Sequence, residues 1–306
     1  MSGEDSKSSG EIGEKMAGAL LQLMGWGELP KGIKIDCSFE SEHDRRSHGD
    51  DRLFVYNSPF REDLTEVVHI SVKHNQDGYP KNVDPFRKAL KDHLAELATI
   101  VQCAQLSPNV QGYIKSVNPR PKKRHWGLLV WLHSNSETLE QDRRLDLGQM
   151  HSPELSDFPA LFIDTARASF IHAVVTHFTS LKRGKPSFYY PRLGSIPAAD
   201  PARSGSILPL ELIASDIIPI KALDGERATL YLYLRENFSE SALKKAFNLA
   251  RAFGDAWVEA EKIHIGFSDY NDSAHSNERD KALMAFSEDA VRANVFSYKE
   301  TLLNLS

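Results

Sequence analysis

Cysteine is nearly missing from this chain: 306 residues carry two, Cys37 and Cys103. That excludes a disulfide framework and favours a reducing, cytoplasmic setting. Long hydrophobic runs are missing too. No stretch approaches the roughly 18–20 apolar residues that span a bilayer, so no membrane association is expected. The polar start, Met1–Ser9, lacks the apolar segment of a secretory signal. Charge of one sign is not in large excess, at −5 net, so any contact with nucleic acid must use local patches. No internal repeat or low-complexity tract is visible. What remains is ordinary globular usage, 41% hydrophobic and 26% charged, in a length that suits about two domains.

Hydrophobic spacing orders the first half. After a flexible lead over residues 1–9, Ile12, Met16, Leu20 and Leu23 recur at helical spacing over Gly10–Met24, and Gly25-Trp26-Gly27 with Pro30 stops the helix. Strands are expected at Ile33–Phe39, Arg52–Tyr56 and Glu66–Lys73, with a charged turn over Glu40–Asp50. A long helix from about Asp84 carries Phe86, Leu90, Leu94, Leu97 and Val101 on one face, and Trp126–His133 reads as a central strand. The order is α-β-β-β-α-β. A polar linker, Asn135–Gly148, precedes a second region (149–306). There, Ala160–Ser180 reads as a helix and Leu181–Ser206 as loop. Ile207–Leu223 and Ala228–Arg235 read as strands joined by Asp224-Gly225. Ser239–Phe253 is a helix capped by Ser239 and stopped by Gly254, Ile263–Phe267 a strand and Glu278–Ala293 a helix.

On the third strand Val67, His69, Ser71 and Lys73 share one face, while Glu66, Val68, Ile70 and Val72 share the other. If the second strand pairs with it, the carboxylate of Asp51, or of Asp50, comes beside the Lys73 ammonium. A carboxylate next to an ammonium in one cleft suits metal-assisted phosphodiester cleavage. Aspartate is a hard ligand for Mg²⁺, and lysine stabilises the anionic transition state. Lys73 equally suits an edge-strand lysine that blocks aggregation, and His69 a hydrogen-bonded structural residue.

Gly13-Glu14 and Gly25-Trp26 on the first helix, Gly49-Asp50-Asp51 at a strand start and Ser71-Val72-Lys73 together resemble the PD-(D/E)xK nuclease superfamily over residues 10–135. The resemblance implies a restriction-endonuclease-like αβββαβ core with a mixed sheet, followed by a C-terminal α/β region. It implies Asp51 as metal ligand, Lys73 as catalytic lysine, Glu14 as supporting carboxylate, the Val72 carbonyl as a further ligand, and Mg²⁺ or Mn²⁺ as cofactor. Ser71 stands where the superfamily has an acid; some members recover that charge from the following helix, here from Asp84, Asp92 or Glu96. The implied activity is DNA endonuclease. The layout also resembles nuclease subunits of bacterial anti-phage defence systems, implying a second subunit from the same operon that controls cutting; region 149–306 is then expected to serve dimerisation, giving a homodimer, or partner docking or DNA gating. The alternative is a non-catalytic DNA-binding or DNA-end-sensing subunit of the same fold.

Lys115, Arg120, Lys122, Lys123 and Arg124 form a basic run before the fourth strand, expected to be a phosphate-tracking loop beside the cleft. Lys182, Arg183, Lys185 and Arg192, interleaved with Phe188, Tyr189 and Tyr190, form a second candidate for binding unpaired bases, against a core role for those rings. Gly184-Lys185 lacks the upstream glycine of a P-loop. His172 and His177 are poorly spaced for two ligands on one helix face, and two distant cysteines do not form a zinc knuckle.

Overall fold

The computed structural model describes residues 3–135, 158–191, 203–224, 227–253 and 260–299. A mixed five-stranded sheet in the order β1-β2-β3-β4-β5 forms the first layer system. It comprises β1 (Lys31–Asp36), β2 (Ser47–Asn57), β3 (Leu64–Asn75), β4 (Lys122–His133) and β5 (Ala160–Ile163). β1, β2 and β3 pair antiparallel, whereas β3, β4 and β5 run parallel. β3 lies at the centre of this sheet, which explains its unbroken burial from Leu64 to Ser71; strands covered on both faces lose the polar alternation of a half-exposed strand.

Helix α1 (Gly3–Leu23) packs on one face of β3 and β4. Its Met16, Ala17, Leu20 and Leu21, and Met24 just past its end, are buried, one stripe of a 3.6-residue period. The helix begins at Gly3 and not at Gly10, so most of the expected flexible lead is helical. The short α2 (Glu40–His43) and the first four residues of β2 occupy much of the stretch expected to be a charged turn. On the opposite face lies α3 (Val83–Ala104), which buries Phe86, Leu90, Leu94, Leu97 and Val101 as expected. A following α4 (Pro108–Ser116), begun by Pro108, went unread in the sequence.

Several expectations fail beyond β4. Residues 160–163 form β5 and not the start of a helix; Asp164 then caps α5 (Thr165–Ser180) by accepting from the Arg167 amide. A short apolar run does not reveal by periodicity alone whether it is strand or buried helix. The expected strand over Ile207–Leu223 is split. Short strands β6 (Phe188–Tyr189) and β7 (Ser204–Gly205) and helix α6 (Leu210–Ile213) precede β8 (Ile217–Asp224). β9 (Arg227–Leu234), α7 (Glu240–Ala252), β10 (Ala260–Phe267), α8 (Asp272–Met284), a 3₁₀ turn (Ser287–Arg292) and β11 (Ala293–Ser297) follow. The helix expected over Glu278–Ala293 is thus displaced towards the N-terminus. Ser239 caps α7 through the Ala242 amide. These strands form a second sheet, β11-β10-β9-β8-β6-β7. The expected linker over 136–148, Arg192, Gly225 and Gly254 lie outside the described residues.

α5 is buried along most of its length, apart from an edge carrying Thr176, Thr179 and Ser180, and sits in a core shared by both sheets. Phe170, Ile171, Val174 and Phe178 pack there with α1, with Val68 and Ile70 of β3, and with Ile220, Tyr231 and Tyr233 of the second sheet. The chain beyond β4 therefore completes the hydrophobic environment of the first sheet.

Candidate functional site

The β2–β3 ladder runs from Asn57↔Thr65 to Arg52↔Ile70 and ends there. The next pair in that register is Asp51 and Ser71. Instead of backbone pairing, the Asp51 carboxylate accepts the Val72 amide at 2.8 Å. The two strands part at this point, and the carboxylate replaces a ladder bond that β3 would otherwise lose. Val72 faces β2 with its amide, and the carbonyl of a strand residue points to the same side as its amide, so it too is directed into the opening.

Lys73 follows on β3, and its Nζ meets Glu96 Oε2 of α3 at 2.9 Å. Among the three acids considered on the following helix, Glu96 is the one beside Lys73. Asp92 is exposed one turn earlier, and Asp84 is exposed at the start of α3, about 18 Å along the axis from Glu96. Ser71 is buried on the same β3 face, as the alternation requires.

The electrostatics agree with this convergence. Burial pushes the Asp51 carboxyl above its ordinary value, and Glu14 and Glu96 push it further, against the Val72 amide and Lys73. Burial would raise Glu96 as well, but the Lys73 hydrogen bond and charge, with Arg45 and His93, hold it below the usual range. Asp51, Lys73 and Glu96 therefore form one half-buried group, with Arg45 at its edge.

Glu14 stands apart. The Arg52 Nε and Nη2 both donate to its Oε2, at 3.1 and 2.6 Å, and Nη2 also donates to its backbone carbonyl. Gly18 leaves room for this guanidinium, since a Cβ there would lie 3.2 Å from Nη2. Gly13 lets α1 approach the end of β3, where a Cβ would meet His74 at 2.5 Å. Glu14 is thus anchored by β2 while its charge reaches Asp51. Asp50 points elsewhere: its Oδ2 is 2.6 Å from His69 Nδ1, and His69 Nε2 is 3.0 Å from His125 Nδ1. All of Asp50 and His69 is buried, so Asp51 is the one of the two acids that faces Lys73.

The basic run does not flank this opening. Lys122, Lys123 and Arg124 belong to β4 and pair with Leu64, Thr65 and Glu66. Lys73 pairs with Trp131, nine residues further along, about 30 Å away. Lys122 meets Asp63 at 2.7 Å, and Lys123 donates to the Pro121 carbonyl. Arg124 pairs with the fully buried Glu66, and Arg120 donates to the Ser58 and Arg61 carbonyls. Lys115 is exposed on α4, whose C-terminal end adjoins Asn57 through the Asn118 carbonyl, also at the far end of the sheet. These partners lie far off in the sequence, which is why a charged strand start resembled a loop. Phe188, Tyr189 and Tyr190 are buried and so take the core role, not that of a stacking platform.

A second cluster, unread in the sequence, joins Cys37, His43, His48 and Cys103, whose ligand-type atoms all lie within 4.8 Å of one another. The cysteines are separated by 66 positions, yet the fold brings their sulfurs to 3.7 Å. The fold thus brings together four residues that no local spacing in the sequence marks as a group.

Comparison with curated proteins and with solved structures gives no match. Residues 1–166 match the family described as GAPS4 protein PD-(D/E)XK nuclease domain, a span that ends just past β5. The match takes in more than half of the 306 residues and every element around Asp51, Lys73 and Glu96, and the chain accordingly belongs to this family of PD-(D/E)XK nuclease domains.

Proposed function

We propose that this chain is a Mg²⁺-dependent DNA endonuclease, with Mn²⁺ able to replace Mg²⁺, and that it acts in anti-phage defence as a homodimer with a second subunit. The observation that carries the catalytic reading is the parting of β2 from β3 at Asp51, with Lys73 and Glu96 held 2.9 Å apart beside it. The donor set suits a hard cation: Asp51, Glu96 and the Val72 carbonyl offer only oxygen. When bound, Mg²⁺ lowers the pKa of bound water and neutralises phosphate charge. Asp51 supplies the primary carboxylate, and Glu96 supplies the charge that Ser71 lacks. Lys73 orients the attacking water and stabilises the developing negative charge. Glu14, held by Arg52, adds negative potential without facing Lys73.

The test is cleavage of plasmid and linear DNA by the purified chain, alone and with the product of its neighbouring gene. Asp51→Ala, Lys73→Ala and Glu96→Ala should each lower the rate about 100-fold or more, whereas Asp84→Ala and Asp92→Ala should leave it unchanged. Parental cleavage by Asp51→Ala or Lys73→Ala refutes the site.

The Lys73–Glu96 ion pair also supports the second reading, a DNA-end-sensing subunit in which lysine and acid neutralise each other. That reading predicts salt-dependent DNA binding with no metal-dependent cleavage under any condition.

A further inference from the structure

The geometry points to a zinc site, separate from the nuclease cleft, formed by Cys37, His43, His48 and Cys103. We propose that Zn²⁺ binds there in tetrahedral S₂N₂ coordination. Neither the family match nor the nuclease reading implies it, and it stands if that reading fails.

The first argument is metric. Zn–S bonds of about 2.3 Å and Zn–N bonds of about 2.0–2.1 Å in a tetrahedron set the edges at about 3.8 Å for S···S, 3.5 Å for S···N and 3.3 Å for N···N. Here the Cys37 and Cys103 sulfurs are 3.7 Å apart. His43 Nδ1 lies 3.3 Å from Cys37 Sγ and 3.5 Å from Cys103 Sγ. His43 Nδ1 and His48 Nε2 are separated by 3.3 Å. Four of the six edges thus fall near those of a zinc tetrahedron.

The second argument is a hydrogen-bond count. His43 turns Nε2 to the Gln102 Oε1, 3.2 Å away. That oxygen only accepts, so Nε2 carries the proton and Nδ1 presents its lone pair to the cluster. Three groups crowd this one lone pair: two sulfurs and the His48 Nε2. That lone pair accepts from one of them at a time, and leaves the others to pair among themselves or to bind a cation. A cation at the centre resolves the conflict, because all four atoms then act as ligands. A carbonyl-type acceptor on the distal nitrogen of a ligating histidine is the usual support for its orientation.

The third argument is enclosure and chemistry. Cys37, His48 and Cys103 are buried, so the site is closed in the manner of structural zinc. The Cys37 amide donates to the Arg46 carbonyl, closing the loop that carries His43. The backbone amides of Ser38 and Phe39 are directed at the Cys103 sulfur. Two thiolates and two imidazoles select Zn²⁺ over Mg²⁺, which suits the oxygen-lined cleft instead.

The placement gives the ion a purpose. His48 is three residues before Asp51 on β2, and Cys103 is two helical turns past Glu96 on α3. Zinc ties the β1–β2 hairpin to the end of α3 and thereby fixes the spacing of the two acids in the cleft.

The experiment uses the full chain, produced without a histidine tag in zinc-supplemented medium and purified without chelator. Metal analysis should find one zinc per chain, and X-ray absorption should find two sulfur and two nitrogen neighbours. Cobalt replacement should give thiolate-to-cobalt charge-transfer and tetrahedral ligand-field bands. Asp51→Ala should keep the zinc in full; Cys37→Ser and His48→Asn should lose it. A parental chain without zinc, a zinc ion with no sulfur neighbours, or a Cys37–Cys103 disulfide in freshly isolated protein overturns the proposal. Because these readings come from the unaltered chain, misfolding of a variant does not decide the outcome.

Discussion

Asp51 shows how a reactive group opposes the stability of its own surroundings. Its folded pKa is raised above the ordinary 3.8 by burial and by the neighbouring carboxylates. A carboxyl shifted upward on folding stabilises the fold while protonated, and that stability is lost as pH rises from the unfolded value through the folded one. Asp51→Asn keeps an oxygen for the Val72 amide and removes the charge. In Mg²⁺-free buffer at neutral pH it should raise Tm by about 2 °C, the effect of somewhat under 1 kcal/mol in a chain of this size. The difference should disappear below pH 3.8, where both forms are neutral. Thermal unfolding across pH measures it, and a Tm lower than the parent's at neutral pH contradicts the assignment. Arg52 behaves in the opposite sense. It is nearly fully buried and holds the half-exposed Glu14, so Arg52→Ala should destabilise by about 2–3 kcal/mol, read from the urea midpoint. His125 offers a third check: burial and His69 bring its pKa to about 3. NMR titration should find its ring neutral down to that pH.

At the scale of elements, the sheet turns residues with similar sequence signatures to different uses. The period-two alternation of β3 and the 3.6 period of α3 were readable because each is local, and both faces carry the residues expected of them. The opening at Asp51 was readable in part, since pairing β2 with β3 is the simplest way to bring Asp51 to Lys73. The choice of Glu96 over Asp84 and Asp92 was not, because it depends on how α3 is rotated over the sheet. The start of β4 was obscured for a related reason. Lys122 and Arg124 are neutralised by Asp63 and Glu66, across a chain separation that no local window spans. The Cys/His cluster suffers the same blindness over a longer separation. Glu66 itself is fully buried and receives Arg124 and the Trp126 indole N–H at 2.9 Å. Arg124→Ala leaves that carboxylate in the interior with one indole donor. It should cost about 3 kcal/mol in denaturant unfolding and leave the salt dependence of DNA binding unaltered. A lower salt slope with parental stability would return Arg124 to a phosphate-contacting role.

At the scale of the molecule, the family match ends at residue 166, yet the physical unit does not. Trp26 Nε1 donates to the Leu208 carbonyl at 2.9 Å, the Leu208 amide donates to Met24, and the Leu210 amide donates to the Tyr56 hydroxyl. Gly25 makes the junction feasible: its φ is +76°, and a Cβ there would fall 1.8 Å from the Ser206 carbonyl oxygen. The Gly25-Trp26 pair, readable in the sequence as a helix stop, is thus also the seat of the loop before α6. Phe54, Tyr56, α1 and α5 share one core with Ile220, Tyr231 and Tyr233 of the second sheet. Cutting the chain after residue 166 removes nearly all of α5 and the second sheet, exposing that apolar face to water. At about 25 cal/mol per Å² of apolar surface, each large side chain uncovered costs about 1.5–3 kcal/mol, so a few of them exceed the 5–15 kcal/mol by which a domain is stable. The 1–166 fragment should therefore aggregate or bind a hydrophobic dye, and the full chain should do neither. A soluble, cooperatively folding fragment would show instead that the second sheet is an appendage. Gly25→Ala tests the same junction more gently. Its strained φ and the clash with Ser206 should together cost about 2–4 kcal/mol, visible as a lower urea midpoint.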